Sequence, residues 1–168
     1  QRQMCIRDRD IIDGGCSWYC GGGNYKIKAS SSLGDSYKAE FANDLSYKTA
    51  WVEGKKDEGI GEYLEYYFKN DSPRITEIII SNGYMKSEET WKNNNRVKKL
   101  KLYVNGVPFG ILNLKDSRTD QYFAVGTLGH NKNGTDLILK FEILEVYKGS
   151  KYNDTAITEI YFDGIDVH

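Results

Sequence analysis

The stretch KLKLYVNGVPFGILNL, Lys99 to Leu114, alternates basic or tyrosyl residues with Leu100, Leu102 and Val104, breaks at Asn105-Gly106 and then resumes. A period of two puts alternate side chains on opposite faces of a strand. Asn-Gly accepts the positive φ of a tight turn, so the segment predicts a β-hairpin. The same pattern recurs outward along the chain. LILKFEILEVY (Leu137 to Tyr147) sets Leu137, Leu139, Phe141 and Ile143 on one face. AITEIYFDGI (Ala156 to Ile165) sets Ile160 and Phe162 on one face, with Glu159 and Tyr161 on the other. Both read as half-buried antiparallel strands. Further strands are expected at Tyr25 to Ser30, Gly61 to Phe68, Arg74 to Ser81 and Gln121 to Gly126, separated by Gly, Asn, Asp and Ser clusters. Thirteen tyrosines against two prolines suit strands. About eight strands without a sustained helical period imply an all-β fold, a jelly-roll β-sandwich.

The 168 residues fit one domain with an ordinary core. The opening QRQMCIRDR has no hydrophobic period and resembles translated adapter sequence, so residues 1–12 are taken as a non-native or disordered segment and 13–168 as the domain. The 23 basic and 24 acidic side chains nearly cancel, which argues against nucleic acid or an acidic membrane as partner. No apolar run approaches the roughly 20 residues that cross a bilayer. The sequence opens on Gln1, and a secretion signal would lie upstream of it.

Between the first strands, SYKAEFANDLSYKTAWVEG (Ser36 to Gly54) is too polar for a strand and too long for a turn. Folded around a hard cation, it would offer carbonyls at Phe41, Ser46 and Thr49, the Asp44 carboxylate and the Thr49 hydroxyl, the mixed oxygen set that calcium takes. The plainer alternative is a solvated loop with Asp44 in an Asx-turn.

The run AEFANDLSYKTAWVEG from Ala39, GIGEYLEYYF, IIISNGYMKSEETWKNNNRVKKLKLYVNG and DTAITEIYFDGIDV, in this order, resembles the NAD-glycohydrolase translocation domain, a discoidin-like or coagulation-factor type C-like module. The resemblance covers Cys16 to Val167. It implies a galactose-binding-domain-like jelly roll that binds glycans at the loops of one end, as an appendage to a secreted or surface protein. It also implies a structural Ca2+ held by Phe41, Asp44, Ser46 and Thr49, with the Thr158 carbonyl and Glu159 from the last strand. The chain departs from the wider family at Leu45, where a glycine is frequent, so the turn of this loop is expected to differ.

Cys16 and Cys20 bracket Ser-Trp-Tyr ahead of three glycines. Only His130 and His168 are available beside them, too few for a zinc knuckle, and the glycines suit a tight turn better than the helix start of a redox pair. A small disulfide loop presenting Trp18 is the favoured reading, with two free thiols as the alternative.

Saccharides are held by aromatic faces together with amides, carboxylates and arginine. The loop NGYMKSEETWKNNNR (Asn82 to Arg96) supplies Tyr84, Trp91, Asn93, Asn94 and Arg96, Glu53 is expected at the same end, and Trp18 of the cysteine loop is a further expected saccharide contact. Trp51 is read as core. Glu62 and Glu65, three apart on a strand, point to opposite faces, and no nucleophile-histidine-acid set can be assembled. The expectation is a monomeric, non-catalytic module for glycans of a cell surface or a polysaccharide. An adhesion or toxin-translocation module without sugar specificity, and a small glycosidase, are the competing classes.

Overall fold

The computed structural model describes residues 16–19 and 21–167, and of Cys16 and Ser17 the backbone alone. The proposed Cys16–Cys20 pairing therefore lies outside the described residues, as does the Gln1–Arg9 segment. A helical turn α1 (Cys16–Tyr19) precedes β1 (Lys26–Ala29), β2 (Trp51–Val52), β3 (Tyr63–Phe68) and β4 (Ile75–Asn82). A short helix α2 (Glu88–Asn93) leads into β5 (Arg96–Val104), β6 (Val107–Asn113), β7 (Gln121–Leu128), β8 (Leu137–Tyr147) and β9 (Ala156–Gly164). A five-stranded sheet, β1-β3-β8-β5-β6, faces a four-stranded sheet, β2-β9-β4-β7, and all pairings between these strands are antiparallel.

The expected hairpin forms at β5–β6. Asn105 (φ 52°) and Gly106 (φ 81°) both take the left-handed backbone that matches the twist of the flanking strands. The core fills from the inward rows of both sheets: Leu100 and Leu102 from β5, Leu137, Leu139, Phe141 and Ile143 from β8, and Ile78 and Ile80 from β4. At its centre Phe162 meets Tyr66 (5.2 Å between ring centroids) and Phe68 (5.1 Å), both edge-on.

Two expectations are corrected. Strand β9 is not half-buried: every residue from Ala156 to Phe162 is buried. It lies between β2 and β4, and its outward face is roofed by the loop after β1, so that Tyr161 and Ile79 pack with Leu45 and Tyr47. Ile157 and Ile160 both reach the main core although three residues apart, which a regular strand forbids. A β-bulge resolves the conflict: Ser81 opposes Glu159 and Asn82 opposes Ile157, leaving Thr158 as the extra residue. The second correction concerns Ser87–Asn93. It is not irregular loop but α2, started by a capping box in which the Ser87 and Thr90 side chains and backbone N–H groups bond reciprocally.

The aromatic cluster sets a test of the core. Truncating a buried ring removes its transfer free energy and leaves a cavity, so Phe162→Ala should cost about 3–5 kcal/mol in urea unfolding. A loss below about 1 kcal/mol would contradict this packing.

Candidate functional site

One end of the sandwich gathers the loop after β2, the β4–β5 connection with α2, the β6–β7 loop and the β8–β9 loop. Arg96, at the start of β5, ties several of these together. Its Nε and Nη2 donate to the two oxygens of Asp116 (2.9 and 3.1 Å), and its Nη1 donates to the carbonyls of Trp91, Lys92 and Asn94. The guanidinium also lies 4.6 Å from the centroid of the Trp91 ring. Such a bidentate, stacked arrangement is specific to arginine. It fixes α2 against the sheet, and Trp91 Nε1 completes the seat by donating to the Asn82 carbonyl (3.0 Å). Gly83 (φ 73°) permits this approach, since a Cβ there would stand 2.5 Å from Arg96 Cγ and 2.8 Å from Trp91 Nε1.

The residues expected to contact a saccharide therefore divide. Trp91 is half-buried and rigidly seated. Asn93 lends its carbonyl to the N–H groups of Lys151 and Tyr152, while its side-chain amide has no partner among the described residues. Tyr84 is half-buried, edge-on to Tyr37 at 6.3 Å, and its hydroxyl is likewise unbonded among the described residues. By contrast, the Arg96 guanidinium is occupied by protein partners. Asn94 is nearly buried and donates to the Thr90 carbonyl (2.9 Å). Both position the site and do not line it.

Glu53 must also be reassigned. At 0% exposure it touches no solvent, and its two oxygens accept from the N–H groups of Lys55 (3.1 Å) and Thr155 (3.2 Å). Burial pushes its carboxyl up to about 7, with Asp154 and Asp57 adding to the rise. Glu53 thus joins the β2 and β8–β9 loops. Trp18, only 1% exposed, is part of the core: it packs edge-on against Phe68 at the end of β3 and sits beside Gly164 at the end of β9, the opposite end of the sandwich from Trp91. Asp116 carries no signal in the sequence, because an aspartate in a Ser/Thr/Asp-rich loop gives no sign of a partner 20 residues earlier. Asn95 looks like its neighbours in sequence, yet it is the most deeply buried member of the run. It donates to the Asn153 carbonyl (2.8 Å) and accepts from Gly149 N–H (2.7 Å), holding the β8–β9 loop.

Of the residues expected around a cation, Asp44, Ser46, Thr49 and Glu159 come together on the outward face of the four-stranded sheet. Glu159 is 0% exposed, and its oxygens accept from the N–H groups of Asp44 (3.3 Å) and Leu45 (3.1 Å). Asp44 accepts from Ser46 N–H (3.2 Å) and from the Thr49 hydroxyl. Burial, and then the neighbouring Asp44 charge, push the Glu159 carboxyl well above the usual carboxylate range. Burial raises Asp44 too. Glu159 is buried and Asp44 exposed, and among the described residues no third carboxylate, histidine or cysteine joins them, so any hard cation here would depend on hydroxyl and carbonyl oxygens for the rest of its shell. Phe41 lies in the 3-10 turn Ala39–Ala42, at the edge of this loop. Thr158 stands at the bulge, its hydroxyl donating to the Gly83 carbonyl and accepting from Met85 N–H. At Leu45, where the wider family often has glycine, the backbone adopts φ 54°, in the left-handed region that favours glycine, and the side chain packs on Ile79 and Tyr161.

Comparison with known proteins agrees with this architecture. No curated protein matches the chain in sequence. Among solved structures, arabinofuranosyltransferase AftD from Mycobacteria is similar with a TM-score of 0.59 at 15% identity, over 85% of this chain and 10% of that one. The chain thus spans only a small part of that protein. CpGH89CBM32-5 from Clostridium perfringens, in complex with GalNAc-β-1,3-galactose, gives a TM-score of 0.54 at 17% identity, over 82% of this chain and 94% of that one. Chitosan-binding module 2 of a chitosanase/glucanase from Paenibacillus sp., in complex with chitotriose, gives 0.51 at 10% identity, over 86% and 98%. These likenesses share the fold. The sequence itself matches a family over residues 18–163, and the chain belongs to it: the NAD glycohydrolase translocation F5/8 type C domain family.

Proposed function

We propose that this domain is a non-catalytic carbohydrate-binding module of a secreted or cell-surface protein, holding a glycan against Trp91, Tyr84 and Asn93. The observation that carries this reading is a rigidly seated indole at the loop end of a sandwich, in the same β4–β5 connection as an amide, Asn93, and a phenol, Tyr84, whose polar groups are unspent. An aromatic platform flanked by a few placed polar groups suits the alternating C–H and O–H surface of a sugar. Structural neighbours seen with GalNAc-β-1,3-galactose and with chitotriose support the ligand class. Binding without turnover is favoured because several of the carboxylates at this end are spent on protein partners. Glu53 is buried, Glu58 pairs with Lys148, Glu62 accepts from Ser30, Ser31 and Lys55, and Asp116 holds Arg96. Glycosidic hydrolysis needs two free ones.

The module is proposed to carry a structural Ca2+ as well, bound by Asp44, Glu159 and the Thr49 hydroxyl, with carbonyl oxygens of Phe41, Ser46 and Thr158 completing the shell. Bound there, the ion would neutralise Glu159 and pin the loop that roofs β9.

The glycan site is tested by a glycan array followed by titration of the strongest hit. Trp91→Ala should weaken binding by about ten-fold or more and Trp91→Phe by less, since stacking contributes about 0.5–1.5 kcal/mol beyond the area buried. Because Trp91 is half-buried and bonded to Asn82, the alanine variant will also melt earlier, so titrations belong well below its transition. Unchanged affinity in the alanine variant would sink the assignment. Protein binding with an empty array would favour an adhesion or translocation role without sugar specificity.

Calcium and pH provide a separate check. A carboxyl whose pKa is raised on folding binds protons in the native state that the unfolded chain has lost. In metal-free buffer, Glu53 should therefore add stability as pH falls from about 7 toward the ordinary carboxylate range, and Glu159, raised in the same direction, should contribute with the same sign. Calcium requires the ionised forms, so its stabilisation should be largest at pH 7.5 and shrink by pH 5.5. At a hundred-fold excess over Kd the linkage is about 2.7 kcal/mol, or about 5–10 °C in Tm. Asp44→Ala should abolish the calcium shift. A melting curve indifferent to calcium at pH 7.5 would contradict the site.

A further inference from the structure

Strand β6 closes one edge of the five-stranded sheet, and among the described residues no element pairs with its outer side. Its sequence, VPFGILN, holds no charged residue, and Val107, Phe109 and Ile111 are 64%, 50% and 45% exposed. The other edge of the same sheet is guarded: β1 is four residues long and exposes Lys26 and Lys28. Edge strands of soluble proteins are ordinarily shortened or charged in this manner, because their unpaired N–H and C=O groups will accept another strand. β6 lacks that protection over most of its length. Pro108 blunts only the end next to the hairpin.

The free part of the edge follows from the register. Leu114 N–H donates to the Lys98 carbonyl (2.9 Å), and Leu112 lies opposite Leu100 and Gly110 opposite Leu102. Bonded and non-bonded pairs alternate along an antiparallel ladder, so residues 110, 112 and 114 spend their backbone groups on β5. Ile111 and Asn113 point theirs away from the sheet, where they have no partner among the described residues. The nearest charges across the ladder, Lys101 and Lys99, stand one strand back, opposite Ile111 and Asn113.

The partner that fits this edge is an extended, uncharged, apolar strand, and β6 is itself one. Paired antiparallel about Ile111, two copies exchange the N–H and C=O of that residue, as a two-fold axis requires. Phe109 of each copy then comes alongside Asn113 of the other. Lys101 and its mate remain three strand spacings apart, roughly 14 Å, beyond a Debye length at physiological salt. No like charges meet across the join.

We propose that β6 is a self-association edge, through which two copies of this domain join their five-stranded sheets into one continuous sheet. This departs from the monomer expected from sequence. The association itself does not depend on the saccharide reading; where that reading holds, the antiparallel pairing sends the two Trp91 ends in opposite directions, so that a dimer bridges two surfaces. One strand pair with its flanking side chains falls below the standard interface size, so the dimer is weak and reversible.

Sedimentation of the full chain from about 10 µM to about 1 mM tests it, with amide hydrogen exchange at both ends of that range. The average mass should climb toward twice that of the chain. The Ile111 N–H, free in the monomer, should exchange at least about two-fold more slowly at the higher concentration, whereas the Leu112 N–H, already bonded to β5, should change little. Ile111→Lys sets like charges against each other across the axis and should hold the protein monomeric throughout. Its melting temperature when dilute should stay within about 3 °C of the unsubstituted chain, because the side chain is exposed. Ile111→Pro, which deletes the outward N–H but no β5–β6 bond, should also abolish the dimer. Trp91→Ala should dimerise unchanged, so this proposal and the glycan site fail separately. A mass that stays at one chain across the range, a dimer that survives both substitutions at Ile111, or an Ile111 exchange rate independent of concentration would each overturn the proposal.

Discussion

The loop end of this domain depends on one guanidinium. Arg96 starts β5, yet its partners are the carbonyls of α2, the ring of Trp91 and Asp116 of the β6–β7 loop. Being nearly buried, it must be matched in charge and saturated in hydrogen bonds, since an uncompensated buried charge is strongly destabilising. Asp116 supplies the charge and three carbonyls take up Nη1. A short helix that would be marginal in water is thereby fixed at an angle that seats its tryptophan. The rigidity matters for recognition, because a platform already in place loses little entropy when a ligand arrives.

On the outward face of the four-stranded sheet the constraint is reversed. There the bulge at Thr158 turns Glu159 beneath the loop that follows β1, where burial and Asp44 both oppose its ionisation. Leu45 takes a left-handed backbone in the same loop, at a conformational cost that its packing on Ile79 and Tyr161 offsets. A left-handed leucine, an exposed aspartate and a buried glutamate whose ionisation is opposed thus lie side by side in this loop. A divalent cation would relieve the repulsion.

Much of the fold was legible because its strands obey a period of two and its hairpin uses Asn-Gly. What escaped was decided by tertiary contact. Glu159 has an outward phase in sequence, and only the covering loop buries it. Trp18 precedes the first strand, where it looks free to face a ligand, yet it closes the far end of the core. α2 had a local signal in Ser87 and Thr90, but six residues give too short a period to notice. At the site, the residue types were readable and their roles were not. Arg96, Asn94 and Glu53 have the chemistry of ligand contacts but spend it on protein partners, whereas Asn93 and Tyr84 keep theirs unspent. The Asp116 partner lay beyond any local spacing rule.

A crystal structure with the strongest array glycan would show whether the end organised by Arg96 receives a sugar. A sugar ring is expected in van der Waals contact with the Trp91 indole, about 4 Å away. Asn93 and the Tyr84 hydroxyl should bond its oxygens, with Arg96 unmoved on Asp116. A saccharide seated elsewhere, with Asn93 and Tyr84 left facing solvent, would contradict it.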